Sequence, residues 1–306
     1  MAMSTFQAKK GDKIYAYIMP GFIIYVLAMV VPLIVCLGIS LTNWRGGPKI
    51  DFVGAQNYVK LLQDKNFWGA FLNNIQIIII LMCSQIGLGF IMALFYQLKA
   101  VKLKEFHRRI IFLPAVLAPI VVGMIWQLVY RNDIGLIASL LSMFGIEKEI
   151  PWLSSNEMVI PSICLALTWQ FVGQFVVIIM AGMQNIGTEV LEAAEIDGAK
   201  GWQKACYITF PLLKSTISIC MIICISGCMK LFDIIFIMSN GGPGNSSMVT
   251  ALYSYDVAFN SQKLGYASAT AIGMTILSLV LVIGSQKLLA GRSDNGNKLS
   301  KDSENS

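Results

Sequence analysis

The sequence predicts an all-α integral membrane protein with six transmembrane helices. Apolar residues make up 56% of the chain, and mean hydropathy is +0.67. Charged residues are only 13%, against roughly 25% in soluble domains. Six stretches are long and apolar enough to cross a hydrocarbon core, which takes about 20 residues. Backbone groups cannot stay unpaired in lipid, so each stretch is expected to be helical.

The spans fall near Ile14–Leu41, Phe71–Leu98, Ile110–Val129, Met158–Met183, Thr216–Met238 and Tyr266–Leu289. The first is too long and uninterrupted for a cleaved signal peptide, and no small-residue cleavage site follows it closely, so a retained helix is expected. Asn57 to Leu62 form a short interfacial helix in the first connection. Pro114 either bends the start of the third span or frees a carbonyl there. Gly135 to Gly145 make a small amphipathic segment outside the membrane. No linker-like composition divides residues 14–289, which read as one transmembrane domain. Residues 1–13 form a cytoplasmic segment, and residues 290–306 a polar, disordered cytoplasmic tail.

Lysine and arginine placement sets the orientation. With the N-terminus inside, the inner face collects Lys9, Lys10 and Lys13, then Lys99, Lys102, Lys104, Arg108 and Arg109. It also collects Lys200, Lys204 and Lys214, then Lys287, Arg292, Lys298 and Lys301. The outer face keeps Arg45, Lys49, Lys60, Lys65, Arg131, Lys148 and Lys263. Trp44, Trp68, Trp126 and Trp152 fall near the outer boundary, as an interfacial aromatic belt should. The net charge of +6 therefore reflects topology, and the run from Lys99 to Arg109 is an anchor, with no nucleic-acid partner implied. The seven cysteines show no metal-ligand spacing. Cys220, Cys224 and Cys228 share one face of the fifth span and read as small packing residues. His107 is the only histidine, which excludes most histidine-based metal or acid–base chemistry. No metal site is expected.

One charged helix interrupts this apolar chain: Glu192-Ala193-Ala194-Glu195-Ile196-Asp197-Gly198. Thr188 can cap its start, and Glu189 lies where the helix dipole favours an anion. Gly198 can end it in the left-handed conformation. Ala193 and Ala194 leave one side nearly bare, so another protein could approach closely. Glu192 and Glu195, one turn apart, could meet cationic groups. Ile208-Thr209-Phe210-Pro211 follows and leads into the fifth span.

These residues resemble the cytoplasmic signature loop of permease subunits in binding-protein-dependent ABC importers: Glu-Ala-Ala, three residues, Gly, nine residues, then Ile-x-Leu-Pro. Phe210 stands for the usual Leu and keeps an apolar anchor. Ala205 and Ser215 replace the Phe and Pro frequent in maltose-type permeases. A second signature, Phe232-Asp233, an apolar run, then Gly241-Gly242-Pro243, resembles importers of the maltose and multiple-sugar type. Tyr255, Ala258-Phe259 and Gly265-Tyr266-Ala267-Ser268-Ala269 fit the same subgroup.

The resemblance implies a coupling loop over residues 186–214, with Glu192, Ala193, Ala194, Glu195, Asp197 and Gly198 gripped by a separate ATPase. It implies a second homologous permease subunit, two ATPase subunits and an extracytoplasmic solute-binding protein. The carried substrate would be a sugar, and the protein would sit as a multi-pass subunit in the plasma (inner) membrane of a prokaryote. Gly241, Gly242 and Pro243 would form an outer docking or gating element on a tight backbone path. No Gly-x-x-x-x-Gly-Lys-Ser/Thr phosphate loop occurs, so no cofactor is expected on this chain. ATP and magnesium would belong to the partner ATPases, and the chain itself would not be an enzyme.

Charges inside a span mark candidate functional positions. Lys230 and Asp233 are one turn apart, with Asp233 about 9 Å from the outer end of a continuous fifth helix. Either they pair within the bundle, or one of them lines a polar route with Ser239 and Asn240. The fourth span carries Trp169, Gln170 and Gln174, which suit sugar binding through ring stacking and amide hydrogen bonds. They suit interhelical hydrogen bonding equally. Within the importer reading, the alternative substrate is a non-sugar such as a glycerophosphodiester or glycerol phosphate. A secondary transporter would need broken segments at matching positions of two halves, and none stands out. A membrane-embedded enzyme would need a nucleophile and base, or paired carboxylates, that the spans do not supply.

Overall fold

Tyr17 to Ser40 form the first helix, α1, which is apolar all the way round. The computed structural model describes residues 15, 17–97, 103–146 and 149–304, of which 288–304 are described as backbone alone. The segment 1–13 with its three lysines lies outside the described residues, as do Lys99, Lys102, Lys148 and the side chains of Arg292, Lys298 and Lys301. After α1 come α2 (Gln56–Gln63), α3 (Lys65–Gln97), α4 (Lys104–Val116), α5 (Pro119–Val129), α6 (Leu136–Met143) and α7 (Val159–Gln184). Then follow α8 (Thr188–Ile196), α9 (Trp202–Leu212), α10 (Lys214–Met229), α11 (Asp233–Met238), α12 (Thr250–Tyr255) and α13 (Leu264–Glu304). Among the described residues the only extended pairing is an isolated bridge between Thr42 and Phe52.

Four helices, α1, α3, α7 and α13, are long and apolar enough to cross a membrane unaided. Two bent pairs make up to six: α4 with α5, at 101°, and α9 with α10, at 73°. The expected bend at Pro114 is not the main break of the third span. Pro114 sits at the start of a helical turn, where its missing N–H costs little. The break is at Leu117 and Ala118, both extended (ψ 142 and 136), because Pro119 drives the preceding residue out of the helical region.

The expected continuous fifth span, Thr216–Met238, is also corrected. Its helix stops at Met229, leaves Lys230, Leu231 and Phe232 outside any helix, and restarts as α11. The break lets both charges leave the apolar packing, and Asp233 gains a place in the first turn of α11, where the dipole favours it. The second helix starts at Lys65, earlier than the apolar run alone requires. The tail, expected to be disordered, continues α13 as backbone helix to Glu304. Adding residues to an existing helix is far easier than nucleating a new one.

Two compact units divide the chain. The first comprises residues 1–64 and 254–273. Here α1 buries none of its most apolar stretch, as expected of a helix solvated by lipid. The open carbonyls at its C-terminal end are satisfied by α2: Asn57 donates to the Ser40 and Thr42 carbonyls, both at 2.8 Å. The Gly265 amide donates to the Trp44 carbonyl at 2.9 Å.

The second unit comprises residues 65–253 and 274–306. Its central helix is α7, with Ile163, Leu167, Phe175, Val176 and Ile179 buried. Small residues let backbones approach it, as is usual between membrane helices. A Cβ on Gly173 would lie 2.2 Å from the Ile111 carbonyl oxygen of α4. One on Gly182 would lie 2.4 Å from the Thr216 hydroxyl of α10.

The carbonyls freed by the broken spans find partners on neighbouring helices. Asn74 of α3 donates to Cys228 O at 2.9 Å, at the end of α10. Gln127 of α5 donates to Ile237 O at 2.6 Å, at the end of α11. Gln170 of α7 donates to Leu117 O at 3.1 Å, in the third-span break. Non-helical backbone at membrane depth is tolerated when partners of this kind supply its hydrogen bonds.

Candidate functional site

The break at 230–232 borders a cavity of about 250 Å³ in the second unit. Gln174 from α7 lines it together with Lys230 and Asp233, so three sequence-predicted residues converge there. Gln85 of α3 and Phe171 of α7 line it too, as do Phe232 in the break and Pro119 of α5. Lys230 and Asp233 are both exposed, and no ion pair forms between them. Among the described residues the ion pairs are Arg108–Glu105, Arg131–Asp133 and Lys204–Glu195. The reading of Lys230 and Asp233 as a self-satisfying pair is therefore corrected. A helix break gives each its own exposure to the cavity, which removes the need to neutralise one with the other.

Gln170 and Gln174 share a helical face but not a role. Gln170 is fully buried, with its amide nitrogen on Leu117 O and its Oε1 without a partner. It holds the third-span break against α7. Trp169 points elsewhere: it is 40% exposed and packs edge-on against Trp126, ring centres 6.0 Å apart. Trp126 in turn contacts Tyr130, which stacks on Trp152 at 5.3 Å and 25°. Trp169 thus belongs to an aromatic row and does not line the cavity.

Ser239 and Asn240 do not line it either. Ser239 shares a hydrogen bond with Ser247 at 2.8 Å, and Ser247 donates to Gly242 O at 2.6 Å. Asn240 (φ 47) and Gly241 (φ 80) both turn left-handed, and Gly242 is followed by a cis Pro243. These residues build the 239–248 turn itself, whose short side-chain bonds hold it closed. The sequence reading missed Gln85, Phe171 and Phe232. Phe232 stacks on Phe236 at 5.3 Å and offers an apolar face beside the charges. The Phe232-Asp233 dipeptide was the available signal, and its aromatic half went unused.

The charged helix is α8, and its N-terminus differs from expectation. Gly187 occupies the cap position, Thr188 is already helical, and no side chain caps the helix. The C-terminus follows expectation. Gly198 takes φ 85 and donates to Glu195 O at 3.1 Å, while Ala199 donates to Ala194 O at 2.9 Å. This paired closure is the Schellman arrangement.

The two alanines divide. Ala194 is buried against the chain and Ala193 is exposed, so the bare side is narrower than the sequence suggested. Glu195 is already paired with Lys204 at 2.6 Å, whereas Glu192 is exposed and makes no ion pair among the described residues. Asp197 is also exposed, at the C-cap. Ile196, Tyr207 and Trp202 stand 86%, 80% and 67% exposed around α8, an apolar rim that sequence reading did not pick out. Phe210 anchors the loop edge-on against Phe90 of α3, ring centres 5.4 Å apart.

Comparison with known proteins places this geometry. The chain is similar to the probable ABC transporter permease protein YurN of Bacillus subtilis, 30% identical over 276 residues, covering 89% of this chain and 94% of that one. It is also similar to the multiple sugar-binding transport system permease protein MsmF of Streptococcus mutans, 35% identical over 239 residues, covering 78% and 81%. The diacetylchitobiose uptake system permease protein NgcF of Streptomyces coelicolor is 29% identical over 286 residues, covering 89% and 80%. In fold, the chain matches a solved bacterial alginate ABC transporter in complex with an alginate pentasaccharide-bound periplasmic protein. The TM-score there is 0.79 at 20% identity, covering 91% of this chain and 94% of that one. Residues 85–294 match the model of the binding-protein-dependent transport system inner membrane component, and the chain belongs to that family of multi-pass membrane permeases.

Proposed function

We propose that this chain is the permease subunit of an ATP-driven importer that carries an oligosaccharide from an extracytoplasmic binding protein into the cytoplasm. The observation that carries this reading is the cavity at the 230–232 break. The amide of Gln174, charges from Lys230 and Asp233, and the faces of Phe171 and Phe232 together offer the mix that a sugar's hydroxyls and C–H surfaces require. Relatives named for multiple sugars, diacetylchitobiose and lactose support the substrate class. The alginate transporter's periplasmic protein supports a binding-protein partner.

Both termini and α8 lie on the cytoplasmic side. Two partner ATPases hold ATP and magnesium, one of them grips α8 through Glu192 and the apolar rim, and a second permease subunit completes the route. ATP and the loaded binding protein must both favour the outward-facing state for the cycle to couple. Residues 14–289 act as one transport domain.

Reconstitution in lipid with the two ATPases, the second permease and a loaded binding protein tests the whole reading: sugar-dependent ATP hydrolysis is expected. Replacing Glu192 by Gln and Gly198 by Ala tests the coupling. Alanine at the left-handed position costs roughly 1–2 kcal/mol of local strain. ATPase copurification is expected to fall at least tenfold with membrane insertion intact, and unimpaired uptake in both variants would overturn the coupling role.

A further inference from the structure

The first unit holds a second cavity, of about 480 Å³, just beyond the end of α1. Arg45, Lys60 and Lys263 line it, with Trp44 and Tyr266 as aromatic walls. Asp64 is the only carboxylate on its lining, and it accepts a hydrogen bond from the Tyr266 hydroxyl at 2.5 Å. The three cations are exposed, and none of them is in an ion pair among the described residues. Asn57, also on the wall, is already committed to the Ser40 and Thr42 carbonyls, so the donors facing the cavity are the three cations with the amides of Asn43 and Gln63.

Three like charges around one concavity repel each other unless an anion joins them. The neighbouring helix says where that anion comes from. α1 ends at Ser40, and none of its most apolar stretch is buried within this chain. Acyl chains match the apolar character of that surface. A lipid lying along α1 carries its headgroup to the helix end, where Trp44 marks the level at which aromatic rings sit among headgroups.

We infer that this cavity binds the phosphodiester of an anionic phospholipid, with Arg45, Lys60 and Lys263 as phosphate ligands and the acyl chains laid along α1. Arg45 has the planar fork that suits phosphate oxygens, and the lysines add point charge. The inference requires the chain to sit in a membrane but does not depend on what the importer carries.

The test uses the purified importer complex in a neutral detergent. Native mass spectrometry with added phosphatidylglycerol or phosphatidylcholine reads retained lipid directly, without transport. At least tenfold preferential retention of phosphatidylglycerol is expected, and the variant Arg45→Gln/Lys60→Gln/Lys263→Gln should lose it while remaining monodisperse. Lys49→Gln, an exposed cation outside the lining, should retain it. Equal retention of the two lipids, equal loss in Lys49→Gln, or undiminished retention in the triple variant would each overturn the inference. Inorganic phosphate displacing the lipid at millimolar concentration would reassign the cavity to a free anion. A triple variant that keeps its lipid and loses only binding-protein stimulation would make it a protein-docking surface.

Discussion

The fourth and fifth spans solve opposite problems. α7 runs for 26 residues without interruption and lends its polar side chains to others: Gln170 serves the third-span break, and Gln174 faces the cavity. The fifth span comes in pieces, α9, α10 and α11, and borrows its hydrogen bonds from α3 and α5 through Asn74 and Gln127. The intact helix acts as a frame, and the broken one uses the freedom that frame supplies to hold Lys230 and Asp233 at a cavity. Charges at such depth depend on supports that lie on other helices.

The comparison can be broken most severely at Gly173. Gly173→Val would drive a branched side chain into the α4 backbone at Ile111, which cannot move aside as a flexible side chain could. Overpacking of this kind costs about 1–3 kcal/mol or more. Loss of monodisperse protein by size-exclusion chromatography is expected, and normal yield would show that α4 is not held against α7.

Asn74→Ala comes next. It removes one donor to the Cys228 carbonyl and one acceptor for the Thr250 amide and hydroxyl, all within 3.0 Å of the Asn74 amide. Each unsatisfied buried group costs about 1–3 kcal/mol. A lower thermal midpoint in detergent is expected, with uptake lost in proportion to folded protein.

Asp233→Asn separates site from scaffold. It keeps the shape and removes the charge of an exposed cavity residue. Yield and thermal midpoint are expected to stay near wild type, while apparent substrate affinity or uptake rate changes severalfold. Unchanged transport would return Asp233 to a helix-start role.

The smallest effect belongs to Asp133, outside the spans. Its hydrogen bond to the Arg131 guanidinium, at 2.5 Å, holds the carboxyl at about 2, below its usual 3.8. A lowered folded pKa gives stability that is present above about pH 4 and lost as pH falls toward 2. The thermal-midpoint gap between wild type and Asp133→Asn should be small at pH 6 and close below pH 4. A gap independent of pH would show that the pair contributes nothing ionic.

Much of this was legible in the sequence. Length and apolarity placed the spans, and the Glu192–Gly198 run predicted α8 together with its left-handed glycine end. The short helices at 56–63 and 136–143 were also expected, the second of them from amphipathic patterning. The break at 230–232 was not legible, because an apolar run gives the same signal whether one helix or two occupy it. Only Lys230 and Asp233 hinted at it, and charge alone does not distinguish a pair from a gap. The aromatic row that Trp169 joins was not legible, because its side of α7 is set by neighbours far away in sequence. Gln85 was missed because an amide inside a span looks the same whether it packs or lines a cavity. Ala194 could not be told from Ala193 until the loop's partners within the chain were visible.

The close approach at Gly173 has a mechanical outcome. With an α4 carbonyl where a methyl would otherwise sit, no slack remains between the two segments. α8 begins four residues after α7 ends. Any tug on α8 therefore travels along a stiff rod about 39 Å long at 1.5 Å per residue, and the kinked third span has to ride with it.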